Sequence, residues 1–193
     1  MGNSKKAGEL STVCISYLKE WYSGDREEIS SKYVNKGNVV ENDCIDFMAD
    51  VLGFGLAEKN ELSMEDEYFT GTADVVMPSL IVDVKSSWSN KTLQESSLDL
   101  NMDYYWQGQG YMHLYDKKEF ILFYGLMDTP GVINYGNDII YSTMPKDKRW
   151  AAFNIERNDE HIKSIIEKVD KCREWLENYS IQLNQTIGKI QKL

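Results

Sequence analysis

Apolar residues recur at helical spacing in four stretches of the chain and at strand spacing in three others. Ser11 can cap a first helix running to about Trp21, with Val13, Tyr17 and Leu18 on its apolar stripe. A second helix is predicted from about Gly37 to Leu52, carrying Val40, Cys44, Phe47, Met48 and Val51 on one face, with Gly53 as its C-cap. Residues 66–86 cluster and alternate like a β-meander, "MPS" supplying the turn between "ADVV" and "LIVDVK". "NMDYYWQGQGYMHLYD" fits a third helix despite two glycines, and "EFILFYGLM" reads as a buried strand. A further strand near "WAAFNIER" precedes a long helix with Ile162, Ile165, Ile166, Val169, Cys172, Leu176 and Tyr179 at helical spacing. The class is therefore α/β. No repeat or linker divides the 193 residues, so a single domain is expected: a helical part over about 1–35, a core over about 36–156 and a terminal helix over about 158–190.

The meander contains charge where apolar residues would serve. A turn centred on Pro78 and Ser79 pairs Met77 with Leu80, Val76 with Ile81, Val75 with Val82 and Asp74 with Asp83. An odd loop length or a bulge would shift this register. Facing like charges among apolar neighbours are destabilising and require compensation. Lys85, two residues beyond Asp83, shares its face and offsets part of the negative charge. A divalent cation would offset the rest, and Glu41 could complete an all-oxygen site of the kind Mg²⁺ or Mn²⁺ prefers if its helix lies on this sheet. The alternative is a salt-bridge cluster at a sheet end.

Composition narrows the classes. A net charge of -10 argues against a protein that coats nucleic acid nonspecifically, so contact with DNA must rest on local basic patches. Cys14, Cys44 and Cys172 are odd in number and lack metal-ligand spacing, which argues against a disulfide framework, a zinc site or an iron–sulfur cluster and fits a reducing cytoplasm. No apolar run approaches the roughly 18 residues of a membrane span, and "MGNSKKAGEL" lacks the apolar core of a signal peptide. His113 and His161 have no second ligand at metal spacing and read as packing or surface residues. Neither a phosphate-cradling glycine loop nor a nucleophile elbow is present.

"GTAD", then "IVDVK", then "QGQGY", preceded by Gly37 to Glu41 as G-x-x-x-E, resembles the motif series of the PD-(D/E)XK nucleases. The likeness is to the RecB-like branch that includes lambda exonuclease and the YqaJ-type phage recombination nucleases, and it covers about residues 31–179. It implies a restriction-endonuclease-like core, a central mixed β-sheet flanked by helices. It casts Asp74 and Asp83 as metal-binding carboxylates, Lys85 as the catalytic lysine, Glu41 as a further acid acting directly or through water, and Val84 as a ligand through its backbone carbonyl. Gln107 and Tyr111, four apart on one helix face, become the Q-x-x-x-Y pair that supports the site, with Tyr104 and Leu114 on the same stripe. Gln109 is set aside because its i+4 residue is His113.

The resemblance further implies a hydrolase: a magnesium- or manganese-dependent deoxyribonuclease, an exonuclease that resects linear double-stranded DNA in phage-type recombination. Its partners would be DNA ends, a single-strand annealing protein and, as a ring trimer, copies of itself, in the cytoplasm of a bacterium or phage-infected host. Alternatives on the same fold are an internally cutting or structure-specific endonuclease and an inactive DNA- or protein-binding adaptor. Lys36, Trp88 and Arg149 are the candidate DNA contacts, with Lys32, Lys91, Lys146 and Lys148 as further basic positions near the site loops.

Overall fold

The computed structural model describes residues 9–25 and 31–188. The N-terminal segment 1–8 and residues 26–30, included in the expected helical part, lie outside the described residues. The chain forms two compact units, Met1–Glu28 with Glu160–Leu193, and Ile29–Asp159.

The first unit contains helix α1 (Thr12–Ser23) and helix α5 (Asp159–Thr186), which begins at its boundary. Ser11 caps α1 as expected, its hydroxyl accepting from the Cys14 N–H. Of the expected α1 stripe only Leu18 is buried; Val13 and Tyr17 are exposed. Tyr22 donates to Ser180 Oγ at 3.0 Å and meets Tyr179 edge to face. Cys14 and Cys172, far apart in sequence, bring their sulfurs to 3.7 Å as free thiols. All seven stripe residues of α5 are buried or partly buried.

The second unit is built on a four-stranded mixed sheet of order β3-β4-β5-β6. Its strands are β3 (Val75–Val76), β4 (Leu80–Ser86), β5 (Glu119–Gly125) and β6 (Trp150–Glu156). β4 and β5 run parallel, and the other two pairings are antiparallel. A parallel pair needs a crossover, supplied here by helices α3 (Asn90–Leu98) and α4 (Met102–Leu114). The expected meander is shorter than its pattern implies, because Met64–Glu65 (β1) and Thr70–Gly71 (β2) pair only with each other.

Both faces of the sheet are covered, which explains the near-continuous apolar run in β4 and β5. Helix α2 (Lys32–Leu52) sets Val40, Cys44, Phe47 and Met48 against Val75, Val82, Val84 and Phe123. On the opposite face Leu93 of α3 and Met112 of α4 meet Ile81, Phe120, Leu122, Tyr124 and Ile155. α2 begins five residues before its expected start because Ser31 caps it, accepting from the Val34 N–H, and it ends at Gly53 in the left-handed conformation (φ 72°). α3 has no counterpart in the hydrophobic pattern; its start is marked by Ser89 and Thr92, which form a reciprocal capping box.

Two glycines in helices test this packing. A Cβ on Gly108 would stand 2.4 Å from the ring of Phe120, a buried residue of β5, whereas one on Gly37 would meet nothing within 4 Å. Gly108→Ala is therefore expected to destabilise by about 1 to 3 kcal/mol despite its gain in helix propensity. Gly37→Ala is expected to stabilise by up to about 1 kcal/mol. Thermal denaturation of the two variants checks the contrast.

Candidate active site

The turn between β3 and β4 has the expected register: Val76 pairs with Ile81, Val75 with Val82, and the Met77 N–H donates to the Leu80 carbonyl. The ladder stops there. One residue further back, Asp74 accepts the Asn60 N–H on its own carbonyl at 2.7 Å and turns its carboxylate to accept the Val84 N–H at 2.7 Å. A strand residue directs its N–H and C=O to the same side, so the Val84 carbonyl also faces the side beyond the end of β3.

Alternation along β4 sends Asp83 and Lys85 to the face carrying α4, together with Ile81. Asp83 is 1 % exposed, and its Oδ2 lies 2.5 Å from the Lys85 ammonium. That oxygen has the ionic contact but no hydrogen bond of sound geometry. The Lys85 ammonium also stands 4.8 Å from the centre of the Tyr104 ring. Further along α4, Gln107 donates from Nε2 to the Tyr111 hydroxyl at 2.9 Å, and the Tyr111 ring covers Gly71 so closely that a Cβ there would lie 2.7 Å from it. Gln109 is fully buried, donating to the Glu156 carbonyl and accepting the Asn158 N–H, so it ties α4 to the end of β6.

Glu41 comes from the opposite face of the sheet, on α2, and lines one cleft with Asp74, Val84 and Lys85. Its carboxylate accepts from the Lys59 ammonium at 2.6 Å. Among the described residues, no group of three or more His, Cys, Asp and Glu side chains is gathered as a metal cage. The donors nonetheless suit a hard divalent cation: they are oxygens, and the buried Asp83 Oδ2 lacks a directed partner.

The charges are strained in the direction a cation would relieve. Burial first, and the charge of Asp83 second, push the Asp74 carboxyl up to about 7 against the favourable Val84 N–H. Burial also raises Asp83, partly countered by Lys85. Burial opposes the Lys85 charge, but the Asp83 carboxylate overrides it and holds the ammonium above the ordinary lysine range. Tyr111 is raised by burial, with the Gln107 bond acting the other way.

The basic candidates divide. Lys36 is 0 % exposed, its ammonium donating to the Ser87 carbonyl at 2.7 Å, and burial lowers it to about 8. Arg149 is 7 % exposed, with its guanidinium 4.4 Å from the Phe47 ring centre. Both side chains are buried here, the Lys36 amine donating to a backbone carbonyl and the Arg149 guanidinium lying over an aromatic ring, so neither stands at the surface. Trp88 is half-buried beside Lys85, edge-on to Tyr33, with the Lys32 ammonium 4.7 Å from its ring centre. Lys91 and Lys146 pair with Glu95 and Asp50. The His113 ring lies tilted against Phe69, with its centre 4.8 Å away, and its Nε2 contacts Asp66 at 2.8 Å. Lys59 and Asn60 lie in no recognisable motif, and only their three-dimensional neighbours bring them to notice.

No protein-family model and no curated protein matches this sequence. Solved structures do. A phage-related exonuclease from Haemophilus somnus 129PT superimposes with a TM-score of 0.80 at 26 % identity, over 94 % of this chain and 91 % of that one. The chain has the fold of the lambda exonuclease branch of the PD-(D/E)XK nucleases. LHK-Exo, an alkaline exonuclease from Laribacter hongkongensis, shares the fold at a TM-score of 0.64 and 14 % identity, over 95 % of this chain and 87 % of that one. Its complex with dAMP gives 0.65 at 15 %, over 93 % and 86 %.

A carboxyl raised by folding destabilises the native state where it must ionise. The Asp74 contribution is absent below the unfolded value near pH 4, grows as pH rises, and is complete above about 7. In chelator, Asp74→Asn is therefore expected to melt higher than the native chain at pH 8, with the gap closing toward pH 4. A lower melting temperature for the variant at pH 8 would favour a stabilising salt-bridge cluster.

Proposed function

We propose that this protein is a magnesium- or manganese-dependent deoxyribonuclease, an exonuclease that degrades linear double-stranded DNA from its ends. One observation carries the reading: the sheet folds Asp74, Asp83 and Lys85 together at the end of an apolar hairpin, where such charge serves stability poorly. The likeness to a phage-related exonuclease supports the choice of exonuclease. The fuller reading includes DNA processing in phage-type recombination, an annealing partner, a ring of copies and a cytoplasmic setting. Among the described residues no helix is long and apolar enough to cross a membrane.

Asp74, Asp83 and the Val84 carbonyl would hold the ion, with Glu41 directly or through water. When bound, it supplies Lewis acidity at the phosphate and a water ionised near neutral pH. The chain's own residues supply position. Lys85, fixed by Asp83 and covered by Tyr104, presents an ammonium that can orient the attacking water and stabilise negative charge developing on the phosphate. Gln107 and Tyr111 hold each other on the α4 wall of the same site, fixing the side against which the DNA strand would lie.

The test uses a linear 5′-phosphorylated duplex labelled at either end, beside a covalently closed circle, with Mg²⁺ or chelator. The native protein is expected to consume only the linear DNA and only with metal. Asp83→Ala and Lys85→Ala, checked for folding by thermal melting, should each lose at least about a hundredfold in rate. Cutting of the circle would replace exonuclease by endonuclease. Absence of cutting with either metal would replace the enzyme by an adaptor.

A further inference from the structure

Each of the three site carboxylates has a different partner. Asp83 has Lys85, Asp74 has the Val84 N–H, and Glu41 has Lys59. Lys85 is an expected part of the chemistry, but Lys59 belongs to no motif. Its side chain is 39 % exposed, yet the backbone on either side is fixed. Ala57, two residues before, is buried in the core against α2. Asn60, the next residue, donates its N–H to the Asp74 carbonyl and its Nδ2 to the Ala73 carbonyl at 2.9 Å, while its Oδ1 accepts the Leu62 N–H. The loop thus ties the residue after Lys59 to Ala73 and to Asp74 itself, and delivers the Lys59 ammonium to Glu41 at 2.6 Å.

From this geometry we infer that Lys59 is the resident counter-ion of the metal side of the site, which a divalent cation must displace from Glu41 in order to bind. The inference rests on the proposed metal-dependent reading. Three carboxylates and two ammonium groups leave one negative charge, and a divalent cation added without displacement would reverse its sign. Lys59 is the group able to leave: it is more exposed than Lys85, has Glu41 as its one ion-pair partner among the described residues, and has a flexible four-carbon stem that can turn to solvent. Lys59 therefore weakens metal binding, and the metal-free site keeps one net negative charge in place of a bare acidic cluster of three. This residue sets the cation concentration at which the site fills.

The measurement is calorimetric titration of Mg²⁺ and of Mn²⁺ into the native chain, Lys59→Met and Lys59→Arg without DNA, alongside the metal-induced shift in melting temperature. Lys59→Met should bind either ion about two- to fivefold more tightly, the range expected from losing one exposed ion pair as competitor. Lys59→Arg, which keeps the charge, should stay close to native. Unchanged or weaker binding by Lys59→Met, with the native chain binding normally, overturns the inference and leaves the proposed function standing. Failure of every chain to bind either ion overturns both.

Discussion

Asp83 sits in the second strand of a four-stranded sheet, between Val82 and Val84, with both faces of the sheet covered by helices. An ionised carboxylate there is costly unless it is paired, and its partner comes from two residues along the same strand, the nearest position on the same face. Much of the surrounding architecture follows from keeping that pair buried and addressable. Tyr104 covers the ammonium, Gln107 and Tyr111 wall the site from α4, and Gly108 lets α4 approach β5 at the distance this arrangement needs.

The abrupt end of β3 matters as much as the pair itself. Had the ladder continued past Val75, backbone pairing would have occupied the Val84 N–H and carbonyl. Because it stops, the Asp74 carboxylate takes the N–H, and the carbonyl faces the open side with the acids. Asn60 fixes this ending by donating its N–H to the Asp74 carbonyl in place of a strand partner. The acids are thereby drawn together by backbone geometry, although their mutual repulsion raises Asp74.

The parts of this design that depend on local periodicity were legible in the sequence. The two-residue period around Pro78 and Ser79 gave the correct pairing of Val75, Val76, Ile81 and Val82, and the helical stripe of α2 named the residues that face the sheet. The spacing of Gln107 and Tyr111 predicted that they share a face, and they do, within hydrogen-bond distance. What was missed depends on distant partners. α3 reads "NKTLQESSL", with Leu93 as its only buried residue, so it has no apolar stripe to detect. Lys36 and Arg149 looked like surface cations because residue type is a guide to average exposure, whereas the Ser87 carbonyl and the Phe47 ring determine their actual surroundings. Lys59 carried no signal, since its importance comes from Asn60 meeting Asp74 across the fold.

In the function proposed above, the end of this hairpin is shaped around a divalent cation held by Asp74, Asp83 and the Val84 carbonyl. Anomalous scattering from crystals equilibrated with Mn²⁺ tests it most directly. The expected result is a manganese peak contacted by those three groups, with Lys59 withdrawn from Glu41. Manganese bound elsewhere, or a site in which no ion enters and Lys85 and Lys59 remain the sole counter-charges, would contradict it.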